Sequence, residues 1–112
     1  MKKQYNQLPQ VAFSILLALS LKPRHGYEIM KQVAEDSDGK LRLSPGTLYG
    51  SIKQLREHGL IAERAENNEK RRRYYHLTPE GHKSLESELA HYERSVTLAR
   101  KRNILGSAGA QS

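Results

Sequence analysis

The sequence predicts a mainly α-helical domain that carries a small β-hairpin, an α+β arrangement. Three early segments place apolar residues at three- and four-residue spacing. Two short strand-like runs then flank an Asn-Asn turn, and a last segment opened by Thr78-Pro79 keeps a helical pattern to its end.

The first helix is expected over 8–21, because Pro9 sits where a first helical turn tolerates it. Val11, Ile15 and Ala18, with Leu16, Leu17 and Leu19, make it apolar nearly all round, so it belongs between layers. Pro23 and Gly26 break it. A second helix over 26–35 carries Tyr27, Met30, Val33 and Ala34 on one stripe. The turn-forming run 36–39 ends it, and 40–43 alternates polar with apolar, as a short strand or an extended connector does.

The third helix has the clearest start: Ser44 as N-cap and Pro45 at the first helical position. Leu48, Ile52 and Leu55 form its apolar stripe, and Gly59 stops it after His58. Its opposite face carries Thr47, Tyr49, Lys53, Gln54 and Arg56. Strands over 60–66 and 71–77 follow, joined through 67–70, with Lys70, Arg71, Arg72 and Arg73 forming a basic cluster at the tip and return. The last helix runs to Arg102. Leu85, Leu89, Tyr92, Val96 and Ala99 alternate four- and three-residue steps, a heptad seam. A helix of about 25 residues spans ~37 Å, more than so small a domain can cover, so it projects and its seam needs a partner. The organisation expected is a domain over 1–77, a dimerisation helix over 78–103 and a disordered tail over 104–112.

Composition narrows the function classes. Without cysteine there are no disulfides, thiolate zinc sites or cysteine nucleophiles. The five histidines show no metal-ligand spacing, so neither a metal nor another cofactor is expected. No paired acids, glycine-rich phosphate loop or Ser-His-carboxylate arrangement supports an enzyme. The apolar run 11–21 is about half of what crosses a bilayer. Although Lys2 and Lys3 precede it, no small-residue cleavage site follows, so a cytoplasmic protein is expected rather than a membrane or secreted one. The net charge of +7 calls for a polyanionic partner, nucleic acid first and an anionic membrane surface second.

Three helices, then a hairpin with a basic tip, is the element order of a winged helix-turn-helix. A helix anchored on one face and presenting Thr, Tyr, Lys, Gln and Arg on the other can lie in the major groove of double-stranded DNA. The basic hairpin then reaches flanking phosphates or the minor groove. Four segments carry a resemblance to the PadR-like family of transcriptional regulators: HGYEI over 25–29, LSPGTLY over 43–49, IKQLREHGLI over 52–61 and RYYHLTPEG over 73–81. The resemblance covers roughly 16–85 and implies a dimeric winged helix on operator DNA, usually a repressor. It also implies a dimer interface built from the first and last helices. Longer family members add a multi-helix C-terminal domain; one long helix here resembles the shorter subgroup.

The candidate DNA contacts are His25, Ser44, Gly46, Thr47, Tyr49, Lys53, Arg56, Lys70, Arg71, Arg72 and Arg73. Ser44 is first a cap and second a phosphate contact, while Gly46 and Thr47 offer first-turn N–H groups to an anion. Tyr49 either gives its hydroxyl to a phosphate, as the resemblance implies, or packs on the second helix; the filled core stripe favours the phosphate. Lys53 is nearer the helix start than Arg56 and better placed for bases. Successive strand residues alternate faces, so at most two of Arg71, Arg72 and Arg73 face DNA together, and one can pair with Glu63 or Glu66 instead. His25 is either a phosphate contact or a surface turn residue. Two other readings compete: a winged-helix module whose basic surface serves an acidic protein, and a regulator sensing a small-molecule effector in a dimer-interface pocket lined by Tyr5 and Tyr92.

Overall fold

Pro9 sets the start of the first helix. In a computed structural model, which describes residues 7–65 and 73–106, Pro9 has extended ψ and its carbonyl accepts from the Phe13 N–H at 2.9 Å. Helix α1 spans Gln10–Ala18, shorter than expected at both ends. Pro9 is the cap rather than the first helical residue. At the other end the Ala18 carbonyl accepts from Arg24 Nε at 2.8 Å, and Ser20 Oγ donates to the Leu17 carbonyl at 2.6 Å, so side chains satisfy carbonyls before Pro23 is reached. As expected, α1 lies between layers, packing against α2 (Gly26–Asp36), α3 (Pro45–Glu57) and α4 (Pro79–Lys101).

Arg24–His25 form a two-residue strand, β1, and His25 caps α2 in a reciprocal box: His25 Nδ1 accepts from the Glu28 N–H, and Glu28 Oε1 accepts from the His25 N–H at 3.3 Å. The azimuth of α2 differs from the expected stripe. Ile29 and Val33 are fully buried, Met30 and Ala34 are half-buried, and Tyr27 is 64% exposed. The buried stripe runs through Gly26, Ile29 and Val33, which leaves Tyr27 facing outward. Asp38 and Gly39 then adopt left-handed φ, and Ser37 Oγ accepts from the Leu41 N–H at 2.9 Å. Residues 40–43 form the connector rather than a strand, with Leu43 buried.

Ser44 Oγ accepts from the Thr47 N–H at 3.1 Å and opens α3, which buries Leu48, Ile52 and Leu55. Gly59, at φ 78°, closes it: its N–H reaches the Arg56 carbonyl and the Leu60 N–H reaches the Leu55 carbonyl, both at 3.0 Å. This double bond pattern satisfies the last-turn carbonyls. Strands β2 (Ile61–Ala65) and β3 (Arg73–Leu77) pair antiparallel, and the sheet order is β1-β3-β2.

Thr78 joins the sheet to α4. Its Oγ1 accepts from the Gly81 N–H at 3.0 Å and donates to the Gly59 carbonyl at 2.6 Å, so one hydroxyl caps α4 and ties it to the end of α3. The core gathers Ile15, Leu16, Ile29, Leu48, Leu55, Tyr75 and Leu85 from these layers. Beyond Glu88 helix α4 leaves it. The radius of gyration is 16.1 Å, against roughly 13 Å for a compact chain of about this length. Asn103, at φ 62°, ends α4, with the Ile104 N–H on the Ala99 carbonyl at 2.9 Å and Arg100 Nε on the Gly106 carbonyl at 2.9 Å. Residues 103–106 form this cap, and 107–112 of the expected tail lie outside the described residues.

Candidate nucleic-acid interface

The exposed face of α3 is continuous. Gly46, Thr47, Tyr49, Lys53, Gln54 and Arg56 all reach solvent, while the buried stripe holds the helix from behind. Ser44 is committed to its cap, accepting from the Thr47 N–H and donating to Thr47 Oγ1 at 3.1 Å. Around Gly46 and Gly50 nothing stands within 4 Å of where a side chain would begin, so a large partner can approach this backbone closely.

Tyr49 packs on the second helix and still reaches solvent. The ring is 51% exposed, yet its hydroxyl lies over Gly26 at the start of α2, where a methyl group would collide with it. Gly26 thus seats Tyr49 between α2 and the hairpin. An open cleft of about 710 Å³ lies there, with Tyr27, Lys31, Tyr49 and Arg73 on its walls. His25 is not the surface residue that its turn-like setting suggests. It is buried by strand pairing opposite Tyr74, whose ring meets its imidazole edge-on at 5.4 Å, and by its capping role.

Arg56 and Arg73 converge on one carboxylate. Arg56 Nη1 lies 3.1 Å from Glu63 Oε1, and Arg73 Nη1 lies 3.2 Å from Glu63 Oε2. Of the partners considered for the wing arginines, Glu63 bonds Arg73, and Glu66 lies outside the described residues. Burial pushes the nearby Tyr75 phenol above its usual range, and the Glu63 carboxylate and Tyr49 add to this, while Arg56 and Arg73 oppose it. Lys70, Arg71 and Arg72 lie outside the described residues.

The α4 seam divides at Glu88. Leu85 is 4% exposed and belongs to the protomer's own core, so it is not free for a partner. Leu89, at 41%, Tyr92 and Val96 are exposed along one stripe, and Ala99 is half-buried. Tyr92 meets Phe13 of α1 edge-on at 5.3 Å. Desolvation raises its phenol pKa, and the hydrogen-bonded Glu88 carboxylate adds to the rise. Tyr5, the other aromatic expected at an effector pocket, lies outside the described residues.

Residues 15–87 match the transcriptional regulator PadR-like family. The chain belongs to that family. Its fold is accordingly a winged helix, with α3 as the helix before the wing and β2 and β3 as the wing strands. This PadR-like chain is similar to a transcriptional regulator from Clostridium thermocellum, at 31% identity and a TM-score of 0.70 over 81% of this chain and 90% of that one. It is also similar to a PadR family transcription regulator from Clostridium difficile, at 30% identity and a TM-score of 0.74, covering 87% and 100% of the two chains. Bacillus subtilis PadR in complex with operator DNA shares the fold at a TM-score of 0.64, with 23% identity over 72% of this chain and 47% of its own. Among curated proteins none matches.

Three residues at the candidate interface escape a reading of the sequence. Tyr27 fits an apolar periodicity that an alternative stripe through Ile29 and Val33 fits as well, and its position at the helix start was the available signal for exposure. Lys31, one turn on, shares the cleft with it. Glu63 was a possible wing partner, but its bond to Arg56 depends on how the hairpin folds against α3. Among the described residues no helix is long and apolar enough to cross a membrane.

Proposed function

We propose that this protein binds a two-fold-symmetric DNA operator as a homodimer and regulates transcription there, in the repressing sense that the family resemblance implies. The observation that carries the reading is the continuous exposed face of α3, with Thr47, Tyr49, Lys53 and Arg56 beside Arg73 of the wing. In this reading α3 enters the major groove, its side chains meet base edges, and the wing engages the flanking backbone. That a Bacillus subtilis relative has been seen on operator DNA supports the assignment.

The dimer reading rests on the stripe Leu89, Tyr92 and Val96, which the described residues leave partly exposed. A second copy is the occupant that a two-fold axis crossing this stripe would supply, since it lays the same apolar residues against one another.

The test is a binding titration at fixed salt against duplex from the protein's own upstream region and against a scrambled duplex. The expected result is a preference on the order of a thousandfold, with two protomers per site. Equal affinity for the two duplexes would remove sequence-specific regulation as the function.

A further inference from the structure

Glu63 stands where an acid weakens attraction to DNA. Arg56 and Arg73 bond it, Lys53 and Glu57 line the same shallow cleft on the face assigned above to a polyanion, and every carboxylate there repels phosphate. Yet the carboxylate is placed with one oxygen on each arginine, at 3.1 Å and 3.2 Å. Its side chain is 21% exposed, whereas that of Arg73 is 71% exposed. The register pairs Glu63 with Tyr75 and Ala65 with Arg73, which puts Glu63 and Arg73 diagonally on one face of the hairpin. Arg56 comes from the last turn of α3, a separate element. The acid is the most buried of the three side chains, beside buried Tyr75, and the two longer, more exposed arginines are the members it restrains.

We infer that Glu63 is a positioning residue for DNA: it holds Arg56 of the helix and Arg73 of the wing in one arrangement, lowering affinity for any duplex and raising selectivity for the operator. A guanidinium has five N–H donors in a planar fork, so each arginine bonded to Glu63 keeps donors for a phosphate or a guanine edge. On a duplex whose backbone and bases fit the held arrangement, those donors are met without reordering the side chains. On other duplexes the arginines must leave Glu63 to reach phosphate, and the uncovered carboxylate then opposes binding. The inference rests on the DNA-binding reading proposed above.

The experiment compares wild type, Glu63→Gln and Glu63→Asp on upstream-region and scrambled duplexes across a salt series, with thermal melts to establish that each variant is folded. Glu63→Gln removes the charge and keeps the shape. Its affinity for scrambled duplex rises several-fold while its operator preference falls about tenfold. Glu63→Asp keeps the charge and shortens the reach by one methylene, and the preference falls here too, without the gain on scrambled duplex. If Glu63→Gln raises both affinities equally and Glu63→Asp changes nothing, the residue is only a charge and the inference is overturned. A wild-type preference that both folded variants retain also overturns it, leaving the function intact. A wild-type protein without any preference overturns the function and this inference together.

Discussion

Gly81 and Gly26 both lie where a side chain has no room, but against different neighbours. A methyl group at buried Gly81 meets the carbonyl of Leu60, backbone held by the turn after α3. One at Gly26 meets the hydroxyl end of Tyr49, a half-exposed side chain that can swing away. Gly81→Ala is therefore expected to lift α4 off α3 and to destabilise by about 2–3 kcal/mol, the upper part of the range for overpacking. Gly26→Ala is expected to cost less than about 1 kcal/mol, yet to weaken duplex binding several-fold by unseating Tyr49. Thermal melts and binding titrations separate the two, and a Gly26→Ala protein that melts as early as Gly81→Ala refutes the argument. Neither role is readable in sequence. Gly26 looks like a helix breaker and Gly81 an ordinary helical residue, because what each faces lies 23 and 21 positions away.

Elements announced by local chemistry were readable, and those made by distant pairing were not. Helix α3 carries its start in Ser44-Pro45 and its stop in Gly59, all within its own segment. Strand β1 is two residues long, shows no periodicity and exists only because β3 pairs with it, so of the two forms expected over 40–43 the connector is found, and the third strand lies at 24–25 instead. The projection of α4 was readable from its length, but the split of its seam was not, because periodicity cannot tell an intrachain contact from an uncovered one. That split yields a prediction. In the proposed dimer, Leu89→Glu with Val96→Glu buries charge across the seam and dissociates the protomers at micromolar concentration, by sedimentation, with helix content nearly unchanged. Leu85→Ala instead acts within the protomer, costing about 2–4 kcal/mol by opening a core cavity. A double variant that stays dimeric places the interface elsewhere.

For the molecule as a whole, charge sets how tightly any duplex is held and shape sets which duplex. The excess of 19 basic over 12 acidic side chains identifies the sign of the partner, but net charge alone does not say where it is presented. In the fold, Lys53 and Arg56 lie on α3 and Arg73 on the wing, while Arg100 and Lys101 stand on the far end of α4. The two groups should separate experimentally. Salt displaces a protein from B-DNA with a log–log slope of about −0.9 per phosphate neutralised. Replacing Lys70, Arg71 and Arg72 with Ala is expected to flatten that slope by up to about 2–3 per protomer and to lower affinity for operator and scrambled duplex alike. Lys53→Ala is expected to lower the operator affinity more than the scrambled one, by roughly 1–3 kcal/mol of lost discrimination if the side chain meets a base. Replacing Arg100 and Lys101 leaves both slopes as they were, since those residues face away from the duplex in this reading. A slope insensitive to the wing triple variant would remove DNA phosphate as the partner of that surface and favour the acidic-protein reading.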